Sequence, residues 1–263
     1  MKKIILIITG IIVIAGIAAL VVWMNMKHSA TKCKLVIVKI NYSDEPYISA
    51  KEIENYTLDS GKSSVIGKEI SAINTKKIEN KISKNPYISE AEVFLTLDGI
   101  LRINVKQRTP LLRVFNAGGQ SYYLDDQAVM MPSAKPARVL VANGNIHDIY
   151  IPSRKLFITE NLKKDSIKIV KQLINRLFIL GQYISKDDFL KAFIQQIYVN
   201  DKEEFELIPL VGNYTIVLGD IDNMTEKFEN LKIFYSKGLL NMGWDKYKTI
   251  NLKFKNQIIC NKN

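Results

Sequence analysis

The sequence predicts an α+β protein with a single N-terminal transmembrane helix, a small β-α-α-β-β domain and a larger mixed β-rich domain with flanking helices. Three observations support this fold class: one uncharged apolar run, one pair of alternating strands around an Asp-Gly turn, and several short apolar strands interspersed with amphipathic helices. At 263 residues and 47% hydrophobic residues, the chain is long enough for one or two domains with cores of their own.

The membrane anchor is predicted from the run Ile4 to Met24, which contains no charged residue. At about 1.5 Å per helical residue, such a run crosses the roughly 30 Å hydrocarbon core of a bilayer. A cleaved signal peptide has a shorter apolar region and a small-residue cleavage site, and a lipoprotein needs small residues before its cysteine, whereas Thr31 and Lys32 precede Cys33. An uncleaved anchor is therefore favoured.

The expected topology is a single pass through the inner, cytoplasmic membrane. Residues 1–3 would be cytoplasmic, 4–24 the anchor, 25–34 a juxtamembrane linker, and the rest periplasmic or otherwise extracytoplasmic. Charge alone leaves the orientation open, because lysines stand on both sides of the anchor. The very short N-terminus favours export of the long C-terminal part.

The net charge of +11, from 37 Lys+Arg against 26 Asp+Glu, permits three interpretations: nucleic-acid binding, attraction to an anionic membrane or wall polymer, or a compositional bias. Export argues against nucleic acid. Because the lysines are spread along the sequence, composition is the favoured source of most of the charge. Two Cys and two His leave little for a disulfide framework or a metal centre, so neither cofactor nor metal is expected.

The first predicted domain covers residues 35–108. Leu35 to Asn41 is a β-branched run typical of a strand, and Ser49 with Glu52 forms a capping box that begins a helix. Thr75 is expected to cap a second helix that ends before Pro86. Two alternating runs around Asp98-Gly99 then predict a hairpin with a type I′ turn.

The second predicted domain covers residues 109–263. Gly181 and Gly238 are each expected to end a helix, and the last strand is expected to run from Ile250 to about Cys260, at or near a sheet edge. The predicted strands and helices are, in order, strands 111–115, 122–124 and 138–142, helix 165–180, strands 194–199, 205–210 and 214–218, helix 223–237 and the last strand.

No constellation for catalysis is apparent, so the chain is not expected to be an enzyme. His28 and His147 lie in stretches that favour solvated side chains, and Cys33 has no recognisable partner that would activate it. Neighbouring acids such as Asp125 and Asp126 point apart in a strand, which fits turn roles better than an acid-base pair.

Six short motifs follow one another along the chain: Asn85-Pro86-Tyr87-Ile88 to Val93, Gln107-Arg108-Thr109-Pro110, Tyr123-Leu124-Asp125-Asp126, Ile216 to Gly219, a lysine-rich helix with Lys227 and Leu231, and Tyr247 followed by Ile250 to Phe254. In this order they resemble the FtsQ/DivIB bacterial cell-division proteins, and the first domain resembles their POTRA domain. The family's usual form of the second motif begins with Glu where this chain has Gln107, and the turn in the third usually has Gly where this chain has Ala128.

This resemblance implies a non-enzymatic divisome scaffold at the division septum. Members of the family bind FtsB- and FtsL-like single-span coiled-coil proteins, help control septal peptidoglycan synthesis, and receive a partner strand on their last strand. The partner-binding residues implied here are Ile250, Leu252, Lys253, Phe254, Asn256 and Gln257.

Two other functions stay open at this point. A sheet edge with Lys253 and Lys255 would attract an acidic partner strand, but edge lysines also protect against aggregation. The alternatives are a membrane-anchored cell-envelope enzyme, for which no catalytic residues are apparent, and a POTRA-type assembly or secretion factor, which normally has repeated units or a barrel.

Overall fold

The computed structural model describes Gly10 and residues 12–20, 31–42, 46–58, 64–156, 172–239, 246–255 and 257–262. Two compact units are present, Met1–Gln107 and Arg108–Asn263. Gly10 and residues 12–20 are helical and exposed, and the rest of the predicted anchor lies outside the described residues. Within the described ranges, no helix combines the length and apolar character needed to cross a membrane.

The N-terminal unit has the predicted order β-α-α-β-β. Its three-stranded sheet has the order β1-β3-β2, with β1 parallel and β2 antiparallel to the central β3. The elements are β1 (Leu35–Asn41), α1 (Ala50–Asn55), a 3₁₀ turn (Ile70–Ala72), α2 (Thr75–Ile82), β2 (Ile88–Leu95) and β3 (Ile100–Gln107).

Helix caps in this unit follow local side-chain chemistry. The capping box that begins α1 is confirmed: the Glu52 amide donates to Ser49 Oγ (3.2 Å), and the Ser49 amide donates to Glu52 Oε2 (2.9 Å). The predicted cap of α2 was wrong by one residue, because Asn74 Oδ1 accepts from the Lys77 amide (2.8 Å). Asn satisfies the free amides of a first turn at least as well as Thr does.

The β2–β3 turn differs from the predicted type I′ turn. A type I′ turn needs positive φ at both central residues, whereas Gly99 (φ +88°) has it and Asp98 does not. The Thr96 amide donates to the Ile100 carbonyl (2.9 Å) and the Gly99 amide to the Thr96 carbonyl (3.0 Å). A three-residue loop results, and Leu97, predicted to face inward, is 75% exposed within it.

The C-terminal unit is a nine-stranded mixed sheet with helices packed against it. The strand order is β12-β11-β10-β9-β8-β7-β4-β5-β6. Its elements are β4 (Pro110–Phe115), β5 (Ser121–Asp125), β6 (Met130–Pro132), β7 (Leu140–Gly144), α3 (Leu173–Ser185), α4 (Asp188–Phe193), β8 (Ile194–Val199), β9 (Phe205–Pro209), β10 (Thr215–Gly219), α5 (Met224–Phe234), β11 (Tyr247–Asn251) and β12 (Ile259–Lys262).

Both glycines expected to end helices have other roles. Gly181 is buried inside α3, which continues to Ser185. A Cβ at Gly181 would lie 3.7 Å from the Leu112 side chain on β4, an ordinary van der Waals contact, so Gly181 packs against the sheet without ending the helix. After α5, a π-helical turn (Tyr235–Leu239) carries the chain through Gly238. The predicted start of α3, before residue 172, lies outside the described residues.

A buried carboxylate joins the beginning of the C-terminal unit to its first hairpin. Asp125, at the end of β5, is fully buried. Its Oδ2 accepts from Arg108 Nη1 (2.8 Å), and its Oδ1 accepts from the amides of Gln127 (3.0 Å) and Val129 (2.6 Å). Since one carboxylate holds both the first residue of the unit and the turn into β6, it fixes the register of these strands.

Ala128 adopts the backbone conformation that a glycine would favour in the same turn. Its φ is +61°, in the left-handed region, where a side chain costs roughly 1–2 kcal/mol. Its amide donates to the Asp125 carbonyl (3.1 Å), and its carbonyl accepts from the Leu156 amide (2.8 Å). The turn geometry is therefore kept although the usual glycine of the resembled motif is absent.

Replacing Asp125 with Ala should lower the free energy of unfolding by about 3–5 kcal/mol, because Arg108 would keep a buried charge without its partner. Chemical denaturation of the full chain, followed by near-UV circular dichroism, measures the loss. Asp126→Ala is the matched control, because Asp126 is the next residue in the chain and its side chain is exposed. The expected loss for this variant is about 1 kcal/mol or less. Equal effects of the two variants would contradict the role of the ion pair.

Candidate functional site

One of the two outer strands of the C-terminal sheet is β12, at the opposite end from β6. It is the second of two short strands, where the sequence predicted a single long one. The predicted strand from Ile250 to Cys260 is two strands, β11 and β12, which pair antiparallel. Ile250 lies opposite both Ile216 of β10 and Cys260 of β12, and it is fully buried. Ile250 therefore lies near the edge but one strand in from it, because β12 covers β11. Among the described strands, none pairs with the outer side of β12.

Most of the other predicted partner-binding residues lie in the connection between β11 and β12. Leu252 is buried, and its amide donates to the Val217 carbonyl (2.9 Å), so it still belongs to the sheet. Phe254 is 46% exposed, and Gln257 is exposed as well. Asn256 lies outside the described residues. Whether these residues bind a partner stays a prediction.

Lys253 is exposed, but its side chain is paired with another residue of the chain. Its Nζ lies 2.6 Å from Glu204 Oε1, next to the beginning of β9. Its aliphatic part crosses Gly219, where a Cβ would come within 2.9 Å of Lys253 Cγ. Gly219 also has a positive φ (+79°). Because Glu204 compensates the charge of Lys253, this lysine attracts an acidic partner only weakly. Its contacts with Glu204 and Gly219 instead hold the connection between β11 and β12 in place.

A groove lies between the connection and the first turns of α5. Phe254, Lys255 and Gln257 form one wall of this groove, and Glu226 and Asn230 are on the other. Within the described part of the chain, Lys255 makes no hydrogen bond or ion pair. The groove therefore offers an exposed aromatic ring, an amide and an unpaired ammonium group next to β12, with the Glu226 carboxylate on the opposite wall.

Helix α5 is fixed from three sides, which makes this wall of the groove rigid. The ring of Phe228 stacks on Tyr183 of α3 (centroids 5.2 Å apart). Lys232 forms an ion pair with Asp187, the residue that caps α4. Phe234 contacts Tyr247 of β11 (6.2 Å between centroids). The edge strand and the groove thus sit on packed elements.

The chemistry of the site is that of a binding surface. In the described ranges, no three His, Cys, Asp or Glu side chains form a group that could hold a metal ion. His147 is exposed and its Nε2 lies 2.9 Å from Asn145 Oδ1. On β12, burial raises the pKa of the Cys260 thiol, which disfavours the nucleophilic thiolate. Cys33 and Cys260 are both free thiols.

The sequence reasoning missed the edge strand itself and one wall of the groove. Ile259 to Lys262 was merged with the preceding strand, because no Gly or Pro separates the two. The stretch from Lys253 to Gln257 contains two lysines, an asparagine and a glutamine, and this polar run is the signal that could have indicated a break. Asn230 on α5 carries no sequence signal of its own.

The fold places this chain in the class of proteins that have a POTRA-like unit followed by a β-rich unit. Residues 31–106 match the POTRA-like domain, and residues 109–261 match the family described as "FtsQ/DivIB, C-terminal related". The chain therefore belongs to the FtsQ/DivIB family, whose members are non-enzymatic cell division proteins.

Three cell division proteins are similar to this chain. FtsQ of Rhodothermus marinus is 25% identical over 69% of this chain and 63% of its own length. DivIB of Clostridium tetani is 24% identical over 90% of this chain and 82% of its own length. FtsQ of a Geobacter species is 26% identical over 74% and 66%. The match thus spans slightly less than two thirds of two of these relatives.

The contact between α4 and α5 predicts a pH-dependent contribution to stability. The hydrogen bond from Lys232 holds the pKa of Asp187 below its ordinary value. A lowered carboxyl pKa stabilises the fold above the unfolded-state value of about 3.9, and this stabilisation is lost as the pH falls through the folded-state pKa.

Asp187→Asn keeps a helix-capping side chain but removes the charge, so it should cost about 0.5–1 kcal/mol at pH 7, since both side chains are partly exposed. The difference from the wild type should disappear in strongly acidic buffer, where Asp187 is protonated in both states. Thermal denaturation of both proteins across this pH range measures it. A difference that persists unchanged at low pH would contradict the charge pair as its cause.

Proposed function

We propose that this chain is a divisome scaffold that binds FtsB- and FtsL-like single-span coiled-coil proteins at the septum and helps control septal peptidoglycan synthesis. The observation that carries the proposal is the free edge of β12 in the unit that matches the FtsQ/DivIB family. An edge strand presents unpaired backbone N–H and C=O groups, which a partner segment in extended conformation can satisfy by adding a tenth strand.

The groove beside β12 supports the same mode of binding. A partner strand added to β12 would continue along the connection, where the exposed ring of Phe254 and the free charge of Lys255 lie. Backbone pairing would supply much of the affinity, while Phe254 and Gln257 would select the side chains of the partner. Ile250 and Leu252, which are buried, would act by supporting β12.

Membrane attachment is the second part of the proposal. The uncharged run from Ile4 to Met24 is long enough for one membrane pass. Anchored there, with its C-terminal part outside the cytoplasm, the chain would present β12 to partners that are also held in the inner membrane. Confinement of both proteins to one membrane raises their effective concentration.

Two neighbouring proline substitutions test the edge directly. In an antiparallel pair, successive residues of an edge strand point their N–H groups alternately towards the neighbour and away from it. Of Cys260→Pro and Asn261→Pro, one should therefore lower the melting temperature by breaking the pairing with β11. The other should leave the fold intact and weaken partner binding about tenfold or more, since its outward N–H and the added strand are lost.

Co-purification of each full-length variant with the FtsB- and FtsL-like proteins of the same cell, together with its melting temperature, gives the result. Cys260→Ala and Asn261→Ala are the controls, because they shorten the side chains without removing a backbone N–H. If the proline variant that keeps wild-type stability also retained full binding, strand addition at β12 would be excluded.

A fluorescent fusion of the full chain should concentrate at midcell, and depletion of the protein should produce filamentous cells. Removal of residues 1–24 should abolish midcell localisation if Ile4 to Met24 anchors the chain. Uniform labelling of the envelope in cells that divide normally would contradict the divisome proposal. Midcell localisation that survives the deletion would contradict only the membrane anchor.

A further inference from the structure

A lysine-rich groove lies on the N-terminal unit, away from the residues assigned to partner binding. It consists of two adjoining depressions that share Asn74, Lys77 and Lys81 of the α2 region. Lys68, from the loop before the 3₁₀ turn, lines the first depression, and Lys84 lines the second. None of the described residues that line either depression is acidic.

The lysines converge from two segments onto one side of α2. Lys77 and Lys81 stand four residues apart on one face of α2, and Lys84 lies in the turn that follows the helix. Ile78 and Ile82 are buried. Like charges at such spacings repel one another and weaken an isolated helix, so the arrangement is unfavourable unless an anion is nearby.

The one acid on this helix, Glu79, is not among the residues that line the groove. Glu79 forms an ion pair with Lys76, and its other carboxylate oxygen accepts from the Val93 amide of β2 (3.4 Å). The Lys76 hydrogen bond holds the pKa of Glu79 below its ordinary value. In the described part of the chain, the side-chain ammonium groups of Lys77 and Lys84 make no hydrogen bond or ion pair, so Glu79 does not compensate their charges.

The groove lies beside the segment that leads in from the predicted anchor. The Cys33 amide donates to the Lys68 carbonyl (2.8 Å), and the Ile70 amide donates to the Thr31 carbonyl (2.9 Å). Cys33 stands nine residues beyond the predicted end of the anchor at Met24, and nine residues reach at most about 32 Å. Because Cys33 is hydrogen-bonded to Lys68, Lys68 lies within roughly 35 Å of the point where the chain would leave the bilayer.

We propose that this lysine groove binds the phosphate groups of anionic phospholipids and so holds the N-terminal unit against the membrane surface. Ammonium groups are suited to phosphate oxygens as mobile point charges. The inference rests on the proposed membrane attachment, which brings the groove within reach of the headgroups. Each lysine near an anionic leaflet raises the equilibrium constant for docking about fivefold.

The test uses the full chain reconstituted into vesicles of phosphatidylcholine, with or without phosphatidylglycerol. A fluorophore on Asn80→Cys, in a Cys260→Ser background, reports energy transfer to an acceptor in the headgroup layer; Asn80 lies in the groove and Cys33 is buried. Transfer should be high with phosphatidylglycerol, low without it, and should fall at about 1 M salt, where charges are screened beyond roughly 3 Å.

Replacing Lys77, Lys81 and Lys84 by Gln should reduce docking on the order of 100-fold, and replacing them by Arg should preserve it. The matched control removes the same charge from exposed positions of the C-terminal unit, with Lys191, Lys202 and Lys248 replaced by Gln, and should retain most of the transfer. Circular dichroism of each variant establishes that it is folded.

Several outcomes would overturn the inference. Equal transfer in both kinds of vesicle, or an unchanged signal in the folded Gln variant, would exclude lipid docking by the groove while leaving the anchor intact. Loss of captured acidic protein partners by the Gln variant, with lipid docking unchanged, would assign the groove to a protein instead. A flotation assay of the full chain with the same two kinds of vesicle separates the groove from the anchor. Binding only to vesicles that contain phosphatidylglycerol, and only when these lysines are present, would support the groove and contradict the anchor. Failure to float with either kind of vesicle would contradict both.

Discussion

The buried ion pair between Arg108 and Asp125 is the constraint on which the C-terminal unit depends. A carboxylate that is removed from water must have its charge and its hydrogen bonds satisfied, and Asp125 meets this need with one guanidinium and two backbone amides. The pair fixes β4 against β5. Because β4 also pairs with β7, and the sheet continues from β7 through β11, the position of β12 follows from the same register.

This pair also gives physical content to two motifs that resemble the FtsQ/DivIB family. Arg108 belongs to the motif at the end of the first hairpin and Asp125 to the motif at the end of β5, and the fold brings them within 2.8 Å. Ala128 completes the picture, since its left-handed backbone keeps the turn after Asp125 in the form that a glycine would take. Two weak sequence matches are thus the two halves of a single interaction.

The two units offer surfaces of different physical character. The edge of β12 presents backbone groups beside an exposed ring and would recognise an extended segment largely through hydrogen bonds. The groove along α2 presents uncompensated lysines, whose attraction for anions is long-ranged and weakened by salt. Neither surface has the grouped acids, histidines or thiols that chemistry on a substrate requires, which agrees with a family of proteins that act by binding.

The sequence by itself determined the local elements. Periodicity identified β1, the β2–β3 hairpin and most strands of the second unit, but neither β6 nor β12 as a separate strand. Ser49 with Glu52 determined where α1 begins. The end of α3 differs from the prediction, because Gly181 lies buried inside the helix, against Leu112 of β4, and does not end it. Only the tertiary structure decided which strand forms the edge and where charge gathers. Both depend on residues that are far apart in the chain and close in the fold, such as Lys253 with Glu204, or Lys68 and Lys77 in one groove. Periodicity and composition carry no signal for such proximity.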